Sequence, residues 1–122
     1  KNSYLERWER RGKYLICSLN TKDKISKGFL VVHLRMTGQF KLIEKQIHPC
    51  KHTRVRFFER RGKELRFIDI RNFGQMWFVP STKSIPEIVS GIKRLGPEPF
   101  SSDFNSRYLE DFLRREGKNF VL

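Results

Sequence analysis

Residues 65–79 read Leu65-Arg66-Phe67-Ile68-Asp69-Ile70-Arg71-Asn72-Phe73-Gly74-Gln75-Met76-Trp77-Phe78-Val79. Leu65, Phe67 and Asp69 fall on one side of an alternating strand, with Arg66, Ile68 and Ile70 on the other. A second apolar strand starts after Gly74. Two such strands with a short connection predict a hairpin. The connection carries an arginine and a phenylalanine two residues apart, which turn chemistry does not require. At a hairpin tip, Arg71 and Phe73 leave the sheet together, one a planar donor fork and the other a flat apolar wedge. That pair suits entry into stacked bases better than it suits a core. The plain alternative is an ordinary packed hairpin.

The same alternation extends outward on both sides. Residues 4–10, Tyr14 to Leu19, Phe29 to Leu34, the stretch through Phe40, Leu42 and Ile43, and Thr53 to Glu59 all read as strands. They are joined by Arg10-Arg11-Gly12-Lys13, a polar loop over 20–28, Arg35-Met36-Thr37-Gly38, a loop at His48-Pro49-Cys50-Lys51-His52, and Arg60-Arg61-Gly62-Lys63. The strand at Phe40 reads as the hairpin partner of Phe29 to Leu34. About seven short strands with Gly-containing turns predict an antiparallel β-sandwich or barrel.

After Pro80 the period changes. Ser84-Ile85-Pro86-Glu87 reads as a capping box. Ile85, Ile88, Val89, Ile92 and Leu95 recur at helical spacing, with Gly96 as the stop and Pro97 behind it. Tyr108, Leu109, Phe112 and Leu113 mark a second amphipathic helix, with Arg114 and Arg115 near its C-terminal end. The expected fold is mainly β (α+β): an antiparallel sandwich of about seven strands with two flanking C-terminal helices.

With 122 residues the chain has room for one core and one domain. It carries 26 Lys and Arg against 13 Asp and Glu, a net charge of +13. Such an excess points to a polyanionic partner. Nucleic acid is preferred over an anionic membrane or a polysaccharide because the basic residues alternate with aromatics on strands and are not gathered on one amphipathic helix. No stretch is long enough to span a membrane. Cys17, in an apolar run, reads as a small buried hydrophobe, and the pair Cys17 and Cys50 fits a reducing, intracellular setting. His48, Cys50 and His52 lack a second cluster at zinc spacing, so no metal site is assigned.

Single residues have two readings each. Lys13 is either a solvated charge on a basic turn or a phosphate contact. His33 is either a satisfied core histidine or a phosphate donor beside Arg35. Met36 either fills a core gap or is an exposed apolar wedge.

Four stretches together resemble one family, the bacterial formamidopyrimidine-DNA glycosylases. They are Arg10-Arg11-Gly12-Lys13-Tyr14-Leu15, His33-Leu34-Arg35-Met36-Thr37-Gly38, Leu65 through Gly74, and Leu95-Gly96-Pro97-Glu98-Pro99-Phe100-Ser101, in the family's order and spacing. The resemblance implies base excision of oxidised purines (8-oxoguanine, formamidopyrimidine) with lyase activity, by flipping the damaged nucleotide out of duplex DNA. It implies that Lys13 reaches the lesion and its phosphates in an assisting role. Met36, Arg71 and Phe73 fill or wedge the vacated gap, Arg71 holding the orphaned cytosine, and His33 and His52 lie near backbone phosphates. With Arg35 and Arg54 these make the candidate DNA-binding set. It further implies a monomer acting on double-stranded DNA in the bacterial cytoplasm, nucleoid-associated, or in an organelle.

The family's nucleophile is an N-terminal proline with a glutamate beside it, and this chain begins at Lys1. Ile70 and Asn72 also replace the commoner Pro and Arg around Arg71, and the tail 116–122 matches nothing in the family. The expectation is therefore a truncated N-terminal, catalytic-type domain over 1–122, inactive alone, with the helical half and its zinc finger lying elsewhere and no cofactor in this chain. The alternative is a non-catalytic DNA- or RNA-binding β module.

Overall fold

The computed structural model describes residues 3–116, so the tail 117–122 lies outside it. The chain runs β1 (Tyr4–Arg11), β2 (Tyr14–Asn20), β3 (Ser26–His33), β4 (Gln39–Ile43), β5 (Thr53–Phe58), β6 (Glu64–Ile68), β7 (Gln75–Pro80), α1 (Ile85–Ile88), α2 (Ser90–Lys93) and α3 (Ser106–Glu116). Every strand pair is antiparallel. The first sheet has the order β1-β2-β3-β7 and the second β4-β6-β5. The mainly β, α+β class predicted from the alternation is what forms.

Period-two alternation gives the first sheet two apolar faces. Phe29 and Val31 on β3 pair with Val79 and Trp77 on β7. This face buries Val31 and Val79 with Val89, against Tyr14, Ile16, Ile85 and Ile92. The other face carries Trp8, Cys17 and Leu30, which are neighbours in register. It meets the second sheet where Trp8 packs edge-on against Phe40 of β4, 5.5 Å between ring centroids. Phe40 in turn contacts Phe67 on β6 and Phe57 on β5. Cys17 is fully buried, and burial pushes its thiol up to about 11.

Two connections differ from the sequence expectation. Residues 65–79 do not form a hairpin, because β6 and β7 belong to different sheets. Both edges of β6 are already taken by β4 and β5, so the chain leaving β6 has no free edge to fold back onto. The same holds for β3 and β4, which also lie in different sheets. Both Gly-containing connections are crossovers between layers.

The helix expected over 85–95 is also divided. The capping box forms at Ser84 and Glu87 as predicted. At Val89 the backbone leaves helical geometry (φ −110°, ψ 79°), and a second single turn follows. Val89 is drawn into the core beside Val31 and Val79. Gly91 passes so close to Tyr14 that a Cβ there would lie 2.0 Å from the Tyr14 hydroxyl. Burying one valine against the sheet outweighs regular helix geometry over so short a stretch, where propensity is weak. Among the described residues three short helices follow the strands, because the first expected helix is divided in two.

Charges predicted only as an alternating face form a network on the second sheet. Glu64 and Arg66 sit two apart on β6, hence on one side, and both are buried. Arg66 Nε donates to Glu64 Oε1 at 2.7 Å, and its Nη1 and Nη2 donate to the carbonyls of His48 and Ile47. Arg56 Nε reaches the same Glu64 oxygen at 2.5 Å. The Arg66 and then Arg56 hydrogen bonds hold the Glu64 carboxyl at about 2.

Candidate nucleic-acid interface

The two crossovers come together at one rim. Residues 34–38 link β3 to β4, closed by the Gly38 N–H donating to the Leu34 carbonyl at 3.0 Å. Arg35 has a left-handed φ of 57°, and Met36 beside it is 75% exposed. Residues 69–74 link β6 to β7, with Asn72 also left-handed at φ 56°.

Asp69 joins the two connections. Its side chain is 1% exposed, yet it is fully partnered. The Thr37 hydroxyl donates to Oδ1, and the Gly74 N–H donates to Oδ2 at 2.7 Å. Thr37 Oγ1 also accepts the Arg71 N–H at 3.1 Å, so one hydroxyl ties both Asp69 and Arg71 to the first connection. Burial alone would push the Asp69 carboxyl up. The Thr37 hydroxyl and the N–H groups of Gly74, Asn72 and Arg71 outweigh it and hold the carboxyl below its ordinary range. Arg54 braces the loop from β5, its Nε donating to the Asp69 carbonyl at 2.8 Å. The His52 carbonyl accepts the Asp69 N–H at 3.0 Å.

This frame puts Met36, Arg71 and Phe73 in contact. Arg71 Nη1 lies 3.2 Å from the Met36 sulfur, and the Arg71 guanidinium sits 4.8 Å above the Phe73 ring centroid. Phe73 remains 52% exposed. The guanidinium is thus held between a weak sulfur acceptor and an aromatic face.

The other candidates line the same end of the first sheet. His33 closes β3 and pairs with Gln75 of β7 and Tyr14 of β2. Its Nδ1 accepts the Arg35 N–H at 3.1 Å, so the neutral ring carries its proton on Nε2. The ring stands edge-on to Tyr14, 4.6 Å between centroids. Burial, then the charges of Arg35 and Lys13, hold its pKa below the ordinary value and favour the neutral ring. Arg35 Nη2 donates to Gln75 Oε1 at 2.7 Å. Lys13 is exposed on the β1–β2 turn, one residue beyond the Tyr14–His33 pair.

That turn is pinned from a distance. Glu98 accepts the Gly12 N–H at 2.8 Å, Arg11 Nη1 at 2.8 Å and Arg10 Nη2 at 2.9 Å. The Gly12 N–H, followed by Arg11 and Arg10, holds the Glu98 carboxyl at about 2. Sequence reasoning found no role for Glu98 or Asp69. Asp69 left a signal, a lone carboxylate ending an apolar strand, whereas Glu98 left none.

Glu64 and Glu98 have folded values near 2 against an ordinary 4.5. Their contribution to stability is complete above pH 4.5 and is lost as pH falls toward 2. Thermal melts should therefore show a falling Tm below pH 4.5. A Glu64→Gln, Glu98→Gln double variant should start lower at pH 7 and lose less over that window. An unchanged acid slope would contradict both assignments.

The class so defined is a basic, two-sheet antiparallel β domain that projects a planar cation, a thioether and a flat ring from one rim. Comparison with known proteins narrows it. The family model described as the formamidopyrimidine-DNA glycosylase N-terminal domain matches residues 1–76. The formamidopyrimidine-DNA glycosylase of Prochlorococcus marinus strain NATL1A is 77% identical over 119 residues, covering 98% of this chain and 42% of the relative. The Lactococcus lactis enzyme, solved non-covalently bound to DNA containing an AP site, superposes with TM-score 0.76 at 28% identity, over 93% of this chain and 40% of that one. A MutM structure in complex with carbocyclic 8-oxo-G-containing DNA gives 0.77 at 27%, over 93% and 40%. The chain belongs to the formamidopyrimidine-DNA glycosylase family. It spans less than half the length of the relatives it matches.

Proposed function

We propose that this chain is the damage-recognition part of a bacterial base-excision DNA glycosylase and AP lyase that removes oxidised purines from duplex DNA, working in the cytoplasm at the nucleoid. The observation that carries the reading is the Met36–Arg71–Phe73 assembly braced on Asp69 and Thr37. The solved neighbours support it, being family members held on AP-site or 8-oxo-G DNA.

Flipping a nucleotide out of the stack costs a few kcal/mol, and side chains inserted into the gap offset that cost. Met36 is the slender apolar group that fills the vacancy. Phe73 stacks beside the partner strand. The Arg71 fork faces the orphaned base, where the O2 and N3 of cytosine match two parallel N–H donors. His33 offers Nε2–H, and Lys13, Arg35 and His52 supply donors or charge to backbone phosphates. Arg54 is committed to the loop carbonyls and acts by bracing it. The zinc implied by the family has no set of three His, Cys, Asp or Glu ligands among the described residues, and no step here runs through it.

The test is a pair of variants on the chain. Phe73→Ala should leave the melting temperature nearly unchanged while weakening binding to a duplex with an abasic-site analogue. Were Phe73 a core residue, truncation would cost about 3–5 kcal/mol, and that large drop would sink the wedge assignment. Arg71→Lys should lose about 1–3 kcal/mol of the preference for cytosine over adenine opposite the abasic site. Equal discrimination in both proteins would remove Arg71 from the reading of the opposite base.

A further inference from the structure

The contact between Met36 and Arg71 points to a chemical liability. Met36 is 75% exposed, against 52% for Phe73 beside it. The Met36 sulfur accepts from Arg71 Nη1 at 3.2 Å and has a second lone pair that this contact does not use. The second methionine of the chain, Met76, lies half-buried on β7, paired in register with the buried Val32. The two thioethers therefore differ sharply in access to a small oxidant.

We infer that Met36 is an oxidation site whose sulfoxide captures the Arg71 guanidinium and withdraws it from DNA. The oxidant is a peroxide. The sulfur lone pair attacks one peroxide oxygen, an S–O bond forms, and the O–O bond breaks. Sulfur gives up two electrons and the second oxygen leaves as water. The product places a strongly polar S–O acceptor where a weak sulfur acceptor stood. Arg71 is already in contact, so no rearrangement of either loop is needed for its N–H groups to take the new oxygen. A polar, chiral group also replaces the slender apolar one that would fill the gap in DNA. Sulfoxide reductases reverse the change, so the effect is a switch and not a lesion.

The DNA consequence rests on the proposed function above, and the test separates the two. The chain is treated with hydrogen peroxide in a Cys50→Ser background, since Cys50 is exposed and its thiol is held below the ordinary value by the Thr53 hydroxyl. Peptide mass spectrometry should find one added oxygen at Met36 well before Met76. The Arg71 side-chain N–H resonances should shift, and affinity for an abasic-analogue duplex opposite cytosine should fall roughly tenfold, about 1.4 kcal/mol. A sulfoxide reductase should restore both. In Met36→Leu, whatever its starting affinity, peroxide should change neither. Oxidation of Met76 as fast as Met36, or unmoved Arg71 resonances, overturns the inference. So does unchanged affinity in the oxidised chain when Arg71→Ala weakens binding. If Arg71→Ala itself leaves affinity unchanged, the DNA reading has failed, and the Arg71 resonances still decide whether the sulfoxide captures the guanidinium.

Discussion

Asp69→Ala is expected to destabilise the chain by about 4–6 kcal/mol, measured by urea unfolding. The carboxylate is buried and accepts the Thr37 hydroxyl and the Gly74 N–H, with the Asn72 and Arg71 N–H groups adding to its stabilisation. A hydrogen bond to a charged group contributes roughly 1.5–3 kcal/mol, and an N–H left buried without a partner carries a full desolvation cost. Alanine also removes the carboxylate that packs against Gly74, 3.0 Å from where a Cβ on that glycine would lie. Asp69→Asn should recover only part of the loss. An amide presents one acceptor and one donor, and its NH₂ must face either the Thr37 hydroxyl or the Gly74 N–H. A loss below about 1 kcal/mol in Asp69→Ala would mean the rim is held together by something else. Because both crossovers depend on this group, the proposed duplex binding should fall in either variant even where the chain is fully folded.

Gly28→Ala is expected to be as damaging or more so, at about 4 kcal/mol or above. Gly28 lies on β3 with φ +121°, where side chains are strongly disfavoured. A Cβ there would sit 1.9 Å from the Val79 carbonyl oxygen and 2.9 Å from the Pro80 backbone. These are main-chain atoms of the partner strand, in register with Gly28 and Phe29. Retreat would pull apart the same pairing that buries Val31 and Val79. Circular dichroism and melting should show a chain largely unfolded or strongly destabilised. A wild-type melt would require that β7 shift without disturbing the valine core.

Strand existence was legible because alternation is local: every strand from β1 to β7 was foreseeable within a few residues of its ends. Which strands share a sheet was not, because pairing depends on edges supplied from elsewhere in the chain. Nothing in residues 65–79 reveals that β4 and β5 occupy both sides of β6. The division at Val89 was hidden for the same reason, since the pull on Val89 comes from β3 and β7. Glu64 and Arg66 could have been found. Two opposite charges at spacing two on a strand share a face and can pair. Glu98, 86 residues from the Gly12 it holds, could not. At the rim, sequence order marked Met36, Arg71 and Phe73 one by one. Their mutual contact, and the buried Asp69 that arranges it, required three dimensions.

The two crossovers run in opposite senses, one from the first sheet to the second and the other back. A probe mounted on a hairpin is a cantilever, rooted in a single layer and free to bend about its base. The three projecting side chains here stand instead on a bridge with a footing in each layer and a cross-tie at Asp69 and Thr37. Thrust delivered to Phe73 or Met36 therefore spreads into β3 and β7 on one side and β4 and β6 on the other. The stiffness with which this surface can press against a partner is that of the joint between the sheets, and softening either sheet should blunt the point without touching it.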